Sequence, residues 1–119
     1  MKTGEFRLKL YPKDFEVMRS FYMDVLGFEI TKEWNRGEDD RGTMFNVGGT
    51  TLELLSPDDD YQVFAGFGLS LEVPDVSQLW SQLKDKDYIT HELRHNEWGD
   101  TSFQIIDPEG LKISLFTKD

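Results

Sequence analysis

Phe6-Arg-Leu-Lys-Leu-Tyr11, followed by Asp14 at the head of an amphipathic run, is written a second time as Phe67-Gly-Leu-Ser-Leu-Glu72, followed by Asp75 at the head of another. The two aspartates stand 61 residues apart, and Leu52 with Ile113 and Leu54 with Leu115 keep that spacing within Thr50-Thr-Leu-Glu-Leu-Leu55 and Leu111-Lys-Ile-Ser-Leu-Phe116. A half of about sixty residues is marginal as an independent fold, whereas two halves can share a core. The 119 residues therefore predict a single domain of two modules, about 1–56 and about 67–119, joined by a linker at about 57–66.

Each module reads as strand, helix and three strands. Alternation puts Phe6, Leu8 and Leu10 on one face of the first strand and Arg7, Lys9 and Tyr11 on the other. Asp14 is placed to cap a helix in which Phe15, Met18, Tyr22, Val25 and Leu26 recur at helical spacing until Gly27 stops it. Strands are expected near residues 28–35, 42–47 and 50–56, with Gly48-Gly49 permitting a tight hairpin. The second helix carries Val76, Leu79, Trp80 and Leu83 behind an Asp75 cap, with Gln78 placed to complete a capping box. Strands near 88–95, 101–106 and 111–117 follow, and Asp107-Pro-Glu-Gly110 reads as a tight turn with Gly110 left-handed. The expected class is α+β, with the two βαβββ modules forming a curved eight-stranded mixed sheet around a cleft and helices outside.

Composition narrows the function classes. The chain has no cysteine, which removes disulfides, thiolate metal sites and thiol nucleophiles together. No apolar run resembles a signal peptide or a membrane span, so a cytoplasmic location is expected. A net charge of −10 opposes binding to nucleic acid or anionic membranes and favours a cationic ligand over long range. Glu38-Asp-Asp40 and Asp58-Asp-Asp60 read as solvated loops.

Asp14 through Phe28, together with Leu52-Glu-Leu54, Glu72-Val-Pro-Asp-Val76 and Asp107-Pro-Glu-Gly-Leu-Lys-Ile113, resembles the vicinal oxygen chelate superfamily. Glyoxalase I, bleomycin-resistance proteins, fosfomycin-resistance enzymes and extradiol dioxygenases belong to it, all built from paired βαβββ modules. The resemblance implies a divalent ion held from the first and last strand of each module, at positions that fall here on Arg7, Glu53, Gly68 and Ser114. Only Glu53 has a suitable side chain, because arginine is permanently cationic and glycine offers no donor. The expectation is therefore no metal and no cofactor. A literal H-E-x-x-H match, His91-Glu-Leu-Arg-His95, falls in a predicted strand. Four residues of strand cover about 13 Å, too far for both rings to bind one ion.

The same alternation places Thr51, Glu53, Ser70, Glu72, Lys112, Ser114 and Phe116 beside Arg7, Lys9 and Tyr11. The resemblance adds Ser102, Gln104 and Ile106 on the seventh strand, with Met44 and Asn46 as repeat partners. Arg7 is expected to pair with Glu53. Trp34, Trp98, Tyr61, Phe64 and Phe67 are candidates for an apolar wall, whereas Trp80 reads as core. The candidate ligand set is thus Arg7, Lys9, Tyr11, Trp34, Asn46, Glu53, Trp98, Gln104 and Ser114. The sequence favours a metal-free homodimer that binds a cationic or aromatic small molecule, as in antibiotic sequestration. The alternative is an enzyme, either a lyase or isomerase of glyoxalase type with an unusual ion site around Glu53 or a metal-independent family member with Glu53 as general base, and a small-molecule sensor or accessory subunit is a third.

Overall fold

Parallel pairing between the first and last strand of each module organises the chain, and it repeats at the same 61-residue spacing that the sequence shows. In the computed structural model, which describes residues 1–57 and 66–119, β1 (Arg7–Leu10) lies parallel to β4 (Thr50–Leu55), with Leu8 opposite Leu52 and Lys9 opposite Glu53. In the second module β5 (Gly68–Glu72) lies parallel to β8 (Lys112–Lys118), with Leu69 opposite Ile113 and Ser70 opposite Ser114. Most of the linker, with Tyr61 and Phe64, lies outside the described residues.

The chain is α+β. It divides into two compact units, Met1–Gln62 and Val63–Asp119. The eight strands resolve into two four-stranded mixed sheets, one per module, ordered β1-β4-β3-β2 and β5-β8-β7-β6. Here β2 is Glu29–Asn35, β3 Arg41–Val47, β6 Ile89–Asn96 and β7 Asp100–Ile106. A parallel pair needs a crossover, and α1 (Phe15–Ser20) and α2 (Val76–Leu83) begin those connections.

Each sheet has one apolar face and one polar face. In the first module Leu10, Phe45, Leu52 and Leu54 are buried along with Phe15, Met18, Phe21 and Tyr22 of the helical segment. Tyr22 stacks on Phe28 at 6.0 Å and meets Phe45 at 6.2 Å. In the second, Phe103, Ile105, Ile113 and Leu115 are buried with Val76, and half-buried Trp80 covers the edge of this core, 5.2 Å from Phe103. Burial of such side chains contributes about 1.5–3 kcal/mol each. Among the described residues no helix is long and apolar enough to cross a membrane.

Local signals act largely as the sequence predicts. Asp14 accepts from Val17 N at 3.2 Å and Asp75 from Gln78 N at 3.1 Å. The second bond at the start of α2 comes from Thr117 rather than from a returning Gln78 side chain. Its hydroxyl accepts from Val76 N at 2.9 Å and donates to Val73 O at 2.7 Å. Gly48 and Gly49 both take positive φ, as a primed hairpin turn requires, and Gly110 does so at +89°. The first helix departs from expectation, because it continues past Ser20 as a π-helical turn over Phe21–Val25. The wider turn narrows the angle between consecutive side chains, so adjacent Phe21 and Tyr22 are both buried, edge to face at 5.5 Å.

Two polar clusters generate predictions. Asp107 is 2% exposed, and its Oδ1 accepts from Glu109 N at 2.9 Å and Leu111 N at 3.0 Å, fixing the turn before β8. Asp107→Ala leaves those donors unmet and is expected to lower stability by about 1–3 kcal/mol, whereas Asp107→Asn retains an acceptor and loses less. Urea denaturation of the three proteins measures the difference.

Glu33 accepts two bonds from Arg19, at 2.6 and 2.8 Å, and one from the Thr43 hydroxyl at 2.8 Å. The Arg19 bonds, helped by Thr43, hold its pKa below the usual carboxylate value. A depressed folded pKa stabilises the protein above the unfolded value of about 4.3 and is lost as pH falls through the lower folded one. Glu33→Gln should therefore be less stable than the parent near neutrality and show a shallower loss below about pH 4.3, read from thermal melts across that range.

Candidate functional site

The polar face of the first sheet follows directly from strand register. Arg7 lies opposite Thr51 and Lys9 opposite Glu53, while Met44 and Asn46 of β3 pair with Glu53 and Thr51. Directly opposed residues share a face, so Arg7, Lys9, Asn46, Thr51 and Glu53 stand together as the alternation requires. Arg7, Lys9 and Asn46 are exposed, whereas Glu53 is only 5% exposed.

Arg7 Nη1 stands 4.0 Å from Glu53 Oε2, at the outer limit of an ion pair. Its nearer partner is Glu5, at 3.0 Å through Nη2. Glu5 also accepts from the Thr51 hydroxyl at 3.0 Å. Bonding to Arg7 and then to Thr51 lowers the Glu5 pKa, and the same contact raises that of Arg7. Glu5 was legible as the residue two before Arg7, hence on the same side of an extended chain. Among the described residues Glu53 has no hydrogen-bond donor.

Tyr11 and Trp34 meet at one end of this face. Both line an open recess of about 310 Å³ with Asp39, Asp40, Arg41 and Leu55. Trp34 lies opposite Gly42, and a Cβ on Gly42 would come within 2.1 Å of its indole. The ring therefore rests where any other residue would put a side chain. Lys32 Nζ stands 5.8 Å from the same ring.

Trp34 and Arg41 also line a recess of about 400 Å³ beside α1, with Phe15, Glu16, Arg19 and Glu33. Its charges are matched internally. Arg19 is bound to Glu33 and Arg41 Nη2 to Glu16, and the Arg41 guanidinium lies 4.5 Å over the Phe15 ring. This cluster ties the helix to the sheet.

In the second module Gln104 and Ser114, paired across β7 and β8, line a recess of about 470 Å³ with Phe67, Leu69 and Lys112. Trp98 does not join them. It sits in the β6–β7 turn, 72% exposed, and lines none of the three recesses.

The residues at the metal positions do not fit a divalent ion. Glu53 is the single carboxylate among Arg7, Glu53, Gly68 and Ser114, and a guanidinium faces it. Among the described residues no group of three or more His, Asp or Glu side chains could hold a metal. The H-E-x-x-H segment forms β6. His91 pairs with Gln104 and His95 with Thr101, positions of opposite parity on β7, so the two rings fall on opposite faces. His95 Nδ1 instead lies 3.0 Å from Asp119.

Comparison with known proteins follows the same architecture. Over residues 6–115 the chain matches the Glyoxalase/Bleomycin resistance protein/Dioxygenase superfamily. A member of that superfamily from Sphaerobacter thermophilus shares 21% identity and a TM-score of 0.79, covering 98% of each chain. TnmS3, an antibiotic binding protein from Streptomyces, is 20% identical with a TM-score of 0.76, over 99% of this chain and 98% of that one. A lactoylglutathione lyase from Agrobacterium tumefaciens is 19% identical with a TM-score of 0.71, over 98% and 95%. These likenesses establish a shared fold and no shared activity. Comparison with curated proteins returns no match. With two βαβββ modules in matching register and a family match that spans nearly its whole length, the chain belongs to the glyoxalase, bleomycin-resistance and dioxygenase superfamily.

Proposed function

We propose that this chain is a metal-free small-molecule-binding protein acting in the cytoplasm, of the kind that sequesters an antibiotic or another planar ligand. The observation that carries the reading is the recess shared by Tyr11 and Trp34, whose indole is seated on Gly42. A held aromatic ring loses little freedom on binding and presents a flat apolar surface to a planar ligand. The guanidinium beside Glu53 supports the metal-free part. TnmS3, with the same fold, is named for binding an antibiotic.

One observation favours a second reading, a metal-independent lyase or isomerase of the same superfamily. Glu53 is a buried carboxylate with no hydrogen-bond donor among the described residues, which suits a general base. The two readings separate on Glu53→Gln. A binding protein keeps its ligand affinity within a few-fold and never turns the ligand over, whereas an enzyme binds the ligand, converts it and stops converting it in the variant. Product formation followed by NMR decides. Elemental analysis of the purified protein is expected to give no stoichiometric zinc, nickel, manganese or iron, and one ion per chain lost on Glu53→Gln would overturn the metal-free assignment.

The proposal extends to assembly as a two-fold homodimer, supported by the exposed aromatic side chains Phe6 and Phe67 at the strand starts. Light scattering should return twice the chain mass of 13.9 kDa, and a clean monomer would remove it.

Trp34 provides the direct test of the wall. In a chain whose other two tryptophans are replaced by phenylalanine, Gly42→Ala should displace the indole and red-shift its emission. Affinity for planar aromatic compounds, measured by titration, should fall by up to about tenfold in both Gly42→Ala and Trp34→Ala. Unchanged emission and affinity in Gly42→Ala would show that the ring is neither seated there nor part of the wall.

A further inference from the structure

We propose that the recess on the polar face of the second module takes the anionic group of an aromatic acid, with Lys112 as its counter-ion. The inference rests on the binding reading above and names its ligand class. The recess measures about 470 Å³, within the size range of small-molecule sites. Its polar side chains are Lys112, Gln104 and Ser114, and among the described residues no carboxylate lines it. That is a strong local reversal in a chain with 23 Asp and Glu against 13 Lys and Arg.

Lys112 has no ion-pair partner among the described residues, as is also true of Lys9 and Lys32, so its charge is not neutralised within the described chain. At the 61-residue spacing Gly68, Lys112 and Ser114 stand where the first module has Arg7, Thr51 and Glu53, so both members of the first module's ion pair are absent and a cation stands at a position that holds a hydroxyl in the first copy.

Gln104 is oriented to match. Its Oε1 accepts a bond from the Thr90 hydroxyl at 3.0 Å, which occupies the acceptor end of the amide and leaves the NH₂ end as donor. The Ser114 hydroxyl can rotate to donate as well. An ammonium, an amide NH₂ and a hydroxyl together complement a carboxylate or phenolate oxygen, and charge-assisted bonds of this kind are the stronger class. Phe67, 44% exposed at the start of β5, lines the recess and offers apolar surface to the body of the ligand. Gly68 contributes no side chain next to Lys112, and an added Cβ there would stand 3.2 Å from the Lys112 carbonyl oxygen.

Isothermal titration of the full chain with three matched probes tests this: 2-naphthoate, neutral 2-naphthamide and cationic 2-naphthylmethylammonium. Naphthoate should bind about tenfold more tightly than the amide at low salt, the scale of one charge-assisted hydrogen bond, and lose that advantage as salt rises. Lys112→Met should reduce naphthoate to the amide's affinity, Lys112→Arg should keep the preference, and Gln104→Leu should weaken it by less. Lys112 is exposed, so the variants should fold, which circular dichroism of each variant checks. Tightest binding by the amide or the ammonium, or a preference for naphthoate that survives Lys112→Met, overturns the inference and leaves the binding reading standing. Failure of all three probes and of a wider aromatic panel overturns both.

Discussion

The parallel pairing of β1 with β4, repeated by β5 with β8, is the constraint on which the rest of each module depends. A parallel neighbour cannot be reached by a tight turn, so the chain must cross over the sheet, and the crossover helix settles which face becomes core. Once Leu8 is opposite Leu52 and Lys9 opposite Glu53, period-two alternation leaves no choice for the other side chains. A slip of one residue would drive Glu53 under the helix and expose Leu52 and Leu54. The apolar cost of such a slip is several buried leucines at about 1.5–3 kcal/mol each, which makes the polar face as well specified as the core.

This explains why the fold and one class of site residue could be read from the sequence. Alternation in Phe6–Tyr11 and Thr50–Leu55, the caps at Asp14 and Asp75, and the glycines of the hairpin and turn are short-range signals that agree with one another. They place Arg7, Lys9, Thr51 and Glu53 on one face without reference to packing. Helical spacing likewise turned Trp80 toward the sheet, where it packs on Phe103, although the ring stays half-buried at the edge of the core.

Other features depend on contacts that no local pattern encodes. Arg7 could reach Glu53 or Glu5, and a long flexible side chain takes the better hydrogen-bond geometry, here Glu5 at 3.0 Å over Glu53 at 4.0 Å. The π turn at Phe21–Val25 arises because two adjacent aromatics both bury, a tertiary demand that overrides helical continuity. The seat of Trp34 on Gly42 joins residues on neighbouring strands, and a lone glycine in a strand gives no hint of which ring will approach it. His91 and His95 illustrate the reverse case. Simple alternation would put residues four apart on one face, but irregularities in β6 shift the register and separate them.

Charge shows how a global property and a local one come apart. The net charge of −10 sets the field that an approaching ligand meets at a distance, and that field is screened within about 8–10 Å at ordinary ionic strength. Inside a recess the few nearest groups dominate, because they are closer than a screening length and partly shielded from water. The first module keeps its polar face balanced, with Arg7 between Glu5 and Glu53. In the second, Gly68 and Ser114 stand at the places of Arg7 and Glu53 and Lys112 at that of Thr51, so among the described residues that line the recess the lysine is the charged one. Duplication supplies two copies of one sheet, and divergence at a few positions on the polar face, Arg7 to Gly68, Thr51 to Lys112 and Glu53 to Ser114, changes the local charge of the copies while the alternating apolar residues continue to hold the same register.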